Sequence, residues 1–147
     1  MAIISGAGIK IQLIASVTFP FGIDITQLAD DTDPFSFVDM TIGEGAIGVN
    51  GDPVFWSRAA LVPFQLSIVP NSDNDKDLQV IFDSNRVGQG KLSVDDEIFI
   101  TGIYPSGEKI SLLNGKMFTG SAAQSVQSTG RMKSKTYTFA FGNYTRV

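Results

Sequence analysis

The chain has 147 residues, with 11 Lys and Arg against 15 Asp and Glu, a net charge of −4, 43% hydrophobic residues and only 18% charged ones. It contains neither Cys nor His, which excludes disulfides, thiolate nucleophiles, Cys-ligated metal centres, Ser-His-Asp triads and histidine metal ligands. The length is that of one domain spanning 1–147, large enough to bury a core without covalent staples.

The elements follow in chain order. The opening segment MAIISGAGIK lacks the basic and apolar regions of a signal peptide, and no apolar run reaches the ~20 residues of a membrane span; a soluble protein made in a cytoplasm is expected. Residues 9–19 alternate, with Ile9, Ile11, Leu13, Ala15, Val17 and Phe19 on one face and Lys10, Gln12, Ser16 and Thr18 on the other, the period of a half-buried strand. Pro20, Gly22 and the acids Asp30, Asp31 and Asp33 predict a loop over 20–34. Phe35–Val49 reads as one or two strands, and Asn50-Gly51-Asp52-Pro53 as a turn, which together give a hairpin over about 41–58. Val62–Val69 alternates again. Ser72 with Asp75 makes a capping-box pattern, and Leu78, Ile81 and Phe82 share helical spacing, so a helix is predicted over 73–87, closed near Gly88. Ile98–Tyr104 is a strand. Asn114-Gly115 predicts a tight turn between strands 109–113 and 116–119. Residues 120–130 are small and polar, a connection with a possible edge strand at Ala122–Val126. Tyr137, Phe139 and Phe141 alternate in a closing strand. The sum is a mainly β fold, an antiparallel β-sandwich or barrel with one α-helix packed on its side.

Charge is unevenly distributed. Residues 1–108 hold all fifteen acids and five cations, a net of −10; residues 109–147 hold six cations and no acid, a net of +6, together the −4 of the whole. Two readings stand. A two-pole surface steers copies together, acidic pole to basic pole, with Arg131, Lys133, Lys135 and Arg146 at protomer contacts; reversing Lys133 and Lys135 to Glu would then weaken assembly. Alternatively the two halves interleave in one fold and the poles cancel.

Motifs for chemistry are weak. Gly43-Glu44-Gly45-Ala46-Ile47-Gly48 matches GxGxxG by letter, but no helix can open after it to face a pyrophosphate, and glycines in a bent strand fit better. A calcium loop starting at Asp73 would need Gly at its sixth position and Glu at its twelfth, where Leu78 and Ser84 stand. Asp95, Asp96 and Glu97 are candidates for carboxylate chemistry only because they are acids. The basic and aromatic residues Arg131 to Phe139 can be drawn as a single-strand binding platform, but the aromatic set on one strand face reads as core, and a pI near 4.6 opposes nucleic-acid binding. Trp56 reads either as an interface anchor beside Phe55 and Arg58 or as a core residue. No catalytic, cofactor-binding or metal-ligating set is expected, and no enzymatic activity.

The stretch from Pro63 to Asp75, followed by Leu78, Ile81-Phe82 and Asn85-Arg86-Val87-Gly88, with the closing strand Lys135–Phe141, resembles the inner tail-tube proteins of contractile-tailed bacteriophages. That resemblance implies a protomer of which six form a ring, with the rings stacked into a tube that conducts DNA without specific binding. It implies that the hairpin with Asn50, Gly51, Asp52, Phe55, Trp56 and Arg58 stacks ring on ring, and that the termini, including Arg146, lie at protomer contacts. Sheath, baseplate and terminator proteins are the implied partners, and a virion tail assembled in the host cytoplasm the implied location. A tail terminator, a head decoration protein or a tube subunit of a related injection system are the alternatives.

Overall fold

The computed structural model describes residues 4–147; the reading of the opening segment falls in part on residues 1–3 and lies outside the described residues. The strands are β1 (Lys10–Ala15), β2 (Phe19–Ile25), β3 (Phe35–Phe37), β4 (Gly43–Ile47), β5 (Pro53–Ser57) and β6 (Val62–Ile68), then, after helix α1 (Asp73–Asn85), β7 (Ile98–Ile103), β8 (Lys109–Thr119) and β9 (Lys135–Arg146). Seven strands form one antiparallel sheet in the order β2-β1-β7-β8-β9-β6-β3, and β4 and β5 pair apart from it. The large sheet curls into a half-barrel with the helix packed on it, as the alternation of β1, β6 and β9 led us to expect.

The alternation decides which face is inside. Ile11, Leu13 and Ala15 of β1 are buried, while Lys10 and Gln12 face out. Phe64, Leu66 and Ile68 of β6, Ile98 and Ile100 of β7, and Tyr137, Phe139 and Phe141 of β9 join them in one core. Tyr137, Phe139 and Phe141 of β9 are therefore core and not a stacking platform. Leu78 and Ile81 carry the helix into that core at 0% exposure, each contributing roughly 1.5–3 kcal/mol by burial.

Three sequence expectations are corrected. Part of the loop predicted over 20–34 is strand β2, paired with β1 from Ile11↔Ile25 to Ala15↔Phe19. It is an edge strand, where Pro20 is tolerated and Gly22 adopts φ +83. Asn114-Gly115 is not a turn: β8 runs through it, with Asn114 at φ +55 and a register shift against β7. The positive φ makes a bulge that bends the strand around the core. A Cβ on Gly115 would lie 2.1 Å from the Phe141 ring, so Gly115→Ala is expected to cost about 1–3 kcal/mol in a urea melt. Lastly, the helix ends at Asn85 and Gly88 does not close it. Arg86 is extended, and the last carbonyls are taken by side chains: Asn85 Nδ2 donates to Ile81 O at 2.8 Å, and Lys91 Nζ donates to Arg86 O at 2.6 Å and to Asp83 O.

The helix start is built as predicted and does more than cap. Ser72 Oγ accepts from Asp75 N at 3.2 Å. Asn74, a calcium-loop position by letter, instead fixes the helix to the chain after β2: its Oδ1 accepts from Thr26 N and Gln27 N at 2.9 and 3.0 Å, and its Nδ2 donates to Asp24 O at 2.8 Å. At the other end, Asp96 accepts from Val17 N (2.7 Å), Thr18 N, Thr18 Oγ1 and Asn85 Nδ2 (2.8 Å). Burial alone would raise its pKa, but those donors hold it below the usual carboxylate range. Asp96 thus ties the β1–β2 turn to the helix end, a structural use of an acid first considered for catalysis.

Candidate functional site

Every residue from Thr41 to Leu61 is exposed. Within this segment β4 and β5 pair as Gly43↔Ser57, Glu44↔Trp56, Gly45↔Phe55, Ala46↔Val54 and Ile47↔Pro53, so the hairpin predicted over about 41–58 is present. Its tip closes through Gly51 N–H to Gly48 O (2.8 Å) and Gly48 N–H to Asp52 O (2.9 Å), with Gly51 at φ +87, where glycine is the least strained residue. Asn50, Gly51 and Asp52 form the exposed tip. At the base, Arg58 N–H donates to Ile42 O at 2.8 Å.

Opposite residues of an antiparallel pair share a face. One face carries Glu44, Ala46, Val54, Trp56 and Arg58, the other Gly45, Ile47, Pro53 and Phe55. On the first, Glu44 accepts from the Trp56 indole N–H at 3.0 Å and pairs with the Arg58 guanidinium at 2.9 Å. On the second, the Phe55 ring lies over Gly45, where a Cβ would meet it at 2.8 Å. Phe55 is 80% exposed and Trp56 47%, so Trp56 is a surface aromatic and not core. An isolated two-stranded hairpin is marginal in water, and this one also exposes Ile42, Ile47, Val49 and Val54. Exposed apolar side chains thus stand on both faces of the ribbon. Its geometry suits packing against another surface. Sequence reasoning missed Glu44, although the turn at 48–52 places it directly across from Trp56.

The C-terminal cations are distributed differently from a pole. Arg131 pairs with Asp30 at 2.6 Å, Lys116 with Asp95 at 3.6 Å, Arg146 with Glu108 at 3.7 Å and Lys135 with Asp75 at 3.3 Å. Each pair joins a cation of 109–147 to an acid of 1–108, so the interleaved reading is the one the fold adopts. Lys135, expected at a protomer contact, is buried at 5% exposure; its charge is used inside the protomer. Lys133 is exposed, and its backbone N–H donates to Ser125 O at 2.7 Å. The 120–134 connection folds back on itself through a Val126↔Met132 bridge, so Val126 pairs locally and adds no strand to the large sheet.

The partner of Lys135 is the centre of a buried network. Asp75 accepts from Tyr137 Oη at 2.9 Å, Gln124 Nε2 at 2.6 Å and Asn71 N at 3.0 Å. Burial pushes its pKa up, but those donors and the Lys135 charge outweigh it and hold the carboxyl below its ordinary value. The same surroundings, burial first and then Asp75, push the Tyr137 phenol far up, so it is a permanent donor. Among the described residues, no group of three or more carboxylates stands close enough to hold a metal ion, and no helix is long and apolar enough to cross a membrane.

The site thus stands on a curled antiparallel half-barrel with one helix packed on it and one exposed hairpin. The fold is similar to the PVC extracellular contractile injection system's sheath/tube terminator in the extended state (TM-score 0.57, 11% identity, 100% of this chain and 98% of that one). It is similar too to the tube terminating cap of the anti-feeding prophage (0.56, 10%, 100% and 92%), and to a chain of that prophage's baseplate (0.60, 7%, 100% and 96%). At these identities the likeness is one of fold. No curated protein sequence matches the chain. The chain belongs to the tail fiber protein gp32 family, whose model matches residues 2–145, and is a structural tail protein.

Proposed function

We propose that the protein is a ring-forming subunit of the tail tube, six copies to a ring, with rings stacked through the Thr41–Arg58 hairpin. The observation that carries this reading is the hairpin itself: a long ribbon with exposed apolar side chains, held at its base and exposed throughout among the described residues. The sheet supports it with two outer strands, β2 and β3, each paired on one side only, which leaves edges for neighbouring copies to extend. A fibre shaft is supported less well, since the chain has no heptad pattern or internal repeat. DNA passes through the lumen without being gripped, in keeping with a net charge of −4, and sheath, baseplate and terminator proteins are the partners. Assembly takes place in the host cytoplasm, and the working location is the virion tail.

The whole-chain likeness to a tube terminator and a terminating cap favours one second reading, a single closed ring that ends the tube. Sedimentation velocity over a concentration series separates the two. A tube subunit gives species that grow without limit as concentration rises, a terminator gives one ring-sized species, and a single monomer boundary throughout would overturn both. In a gel-shift at about 0.15 M salt the protein is expected to leave duplex DNA unshifted; tight binding there would contradict the passive lumen.

A further inference from the structure

A cavity lies where the hairpin leaves the sheet, between Met40 and Val62. Phe37, Val38, Tyr104 and Tyr144 line a concave mouth there, with Glu108 and Arg146 also on its wall. Phe37, Val38 and Tyr144 are at least a third exposed, so the mouth presents aromatic and aliphatic surface to solvent. Beside it β9 outruns its neighbour: β6 begins at Val62 opposite Phe141, while β9 continues to Arg146 along β8. Among the described residues, Gly142, Tyr144 and Arg146 therefore have no strand on the β6 side, and the Tyr144 N–H donates to the adjacent Asn143 Oδ1 at 2.8 Å. A concave apolar mouth beside an unpaired strand edge is the arrangement that receives an added strand.

We propose that this mouth receives the hairpin of a second copy, Trp56 face inward. This inference rests on the reading of the hairpin as the assembly contact and names its receptor. Charge selects the occupant. The Trp56 face carries a Glu44–Arg58 pair, and the mouth carries a Glu108–Arg146 pair that is long, at 3.7 Å, and largely exposed. Seated together, the two surfaces exchange partners, Glu44 with Arg146 and Arg58 with Glu108, while Trp56 and Val54 cover the aromatic wall. Exposed pairs of this kind contribute little when apart, so the exchange costs little, and gathering four charges around a covered aromatic centre orients the contact. Donor and acceptor are different surfaces, so the contact is of the kind that builds rings and stacks.

Charge reversal tests the match. Glu44→Arg with Arg58→Glu reverses the hairpin, and Glu108→Arg with Arg146→Glu reverses the mouth; each keeps its own internal pair and so its fold. Either reversal alone is expected to weaken self-association by about 10-fold or more, and the chain with all four changes to recover to within about 3-fold of the parent. Because the chain lacks Cys, Trp56→Cys and Tyr144→Cys copies can be mixed under oxidation, and a disulfide-linked dimer should form in the mixture well above either variant alone. If removing the hairpin abolishes association while mouth reversal and the Cys mixture do nothing, the mouth is not the receptor but the hairpin reading stands. If removing the hairpin also does nothing, both fall.

Discussion

Excising residues 43–57 and joining Ile42 to Arg58 through a short Gly-Ser link is expected to abolish assembly and leave the protomer folded. The Arg58 N–H and Ile42 carbonyl already meet at 2.8 Å, so the cut closes without moving the body. No residue of the hairpin belongs to the buried core, and the stability of the protomer should change by no more than about 1 kcal/mol. Association behaves differently. The excised ribbon carries Trp56 and Phe55, large aromatics of the kind enriched at interfaces, and Glu44, the partner of Arg58, and its loss should raise the concentration needed for assembly by at least about 100-fold. Trp56→Ala alone, at about 2 kcal/mol, should raise it about 30-fold. A shortened protomer that still assembles at the parent concentration would remove the hairpin from the account. One that fails to fold would show that the hairpin is part of the core.

The second large effect lies inside the protomer. Asp75 and Lys135 are 1% and 5% exposed, and removing one partner strands the other charge in the interior. Asp75→Ala is expected to cost about 3–5 kcal/mol, read in a denaturant melt, and Tyr137→Phe about 1 kcal/mol. The pH dependence follows from the lowered pKa of Asp75. A carboxyl whose folded pKa lies below its unfolded value contributes stability that is fully present above about pH 4 and is lost as pH falls through the folded pKa. Asp96, lowered in the same direction, adds to the same loss. Acid titration of the parent should therefore show stability falling below about pH 4, and Asp75→Asn should flatten that fall. An unchanged acid profile in the variant would mean that the network is not held by the Asp75 charge. The same network bears on the charge-reversal expectation: Lys135→Glu would place a second carboxylate beside Asp75 and unfold the protomer, so any loss of assembly it caused would reflect the fold. Lys133→Glu, on an exposed side chain, tests the surface alone, and an effect within about 2-fold is expected, since four of the six C-terminal cations are already paired within the protomer and a lone exposed charge contributes little.

Local pattern made much of the fold legible in the sequence. The alternation of β1 and β6 named their buried faces, Ser72 with Asp75 marked the helix start, and the turn residues at 50–53 placed the hairpin. Misreadings came where one local signal has two physical outcomes. Asn114-Gly115 favours positive φ, which suits a tight turn or a bulge, and the choice was set by Phe141 packing over Gly115 from a strand 26 residues away. Pro20 and Gly22 signal a break in an interior strand but are compatible with an edge strand, and edge position is a property of the assembled sheet. The Asp75–Tyr137–Lys135 network joins positions some 60 residues apart, and the unequal division of charge along the chain left the two-pole and interleaved readings equally open. For the hairpin, the sequence located the ribbon, but only the fold shows that nothing among the described residues covers it.

Negative-stain electron microscopy of the purified protein at low and moderate salt tests the central claim most directly. A tube-type tail subunit predicts rings or hollow tubes in the parent and their loss when residues 43–57 are removed. A uniform field of small monomers from the parent, at every concentration and both salts, would contradict it.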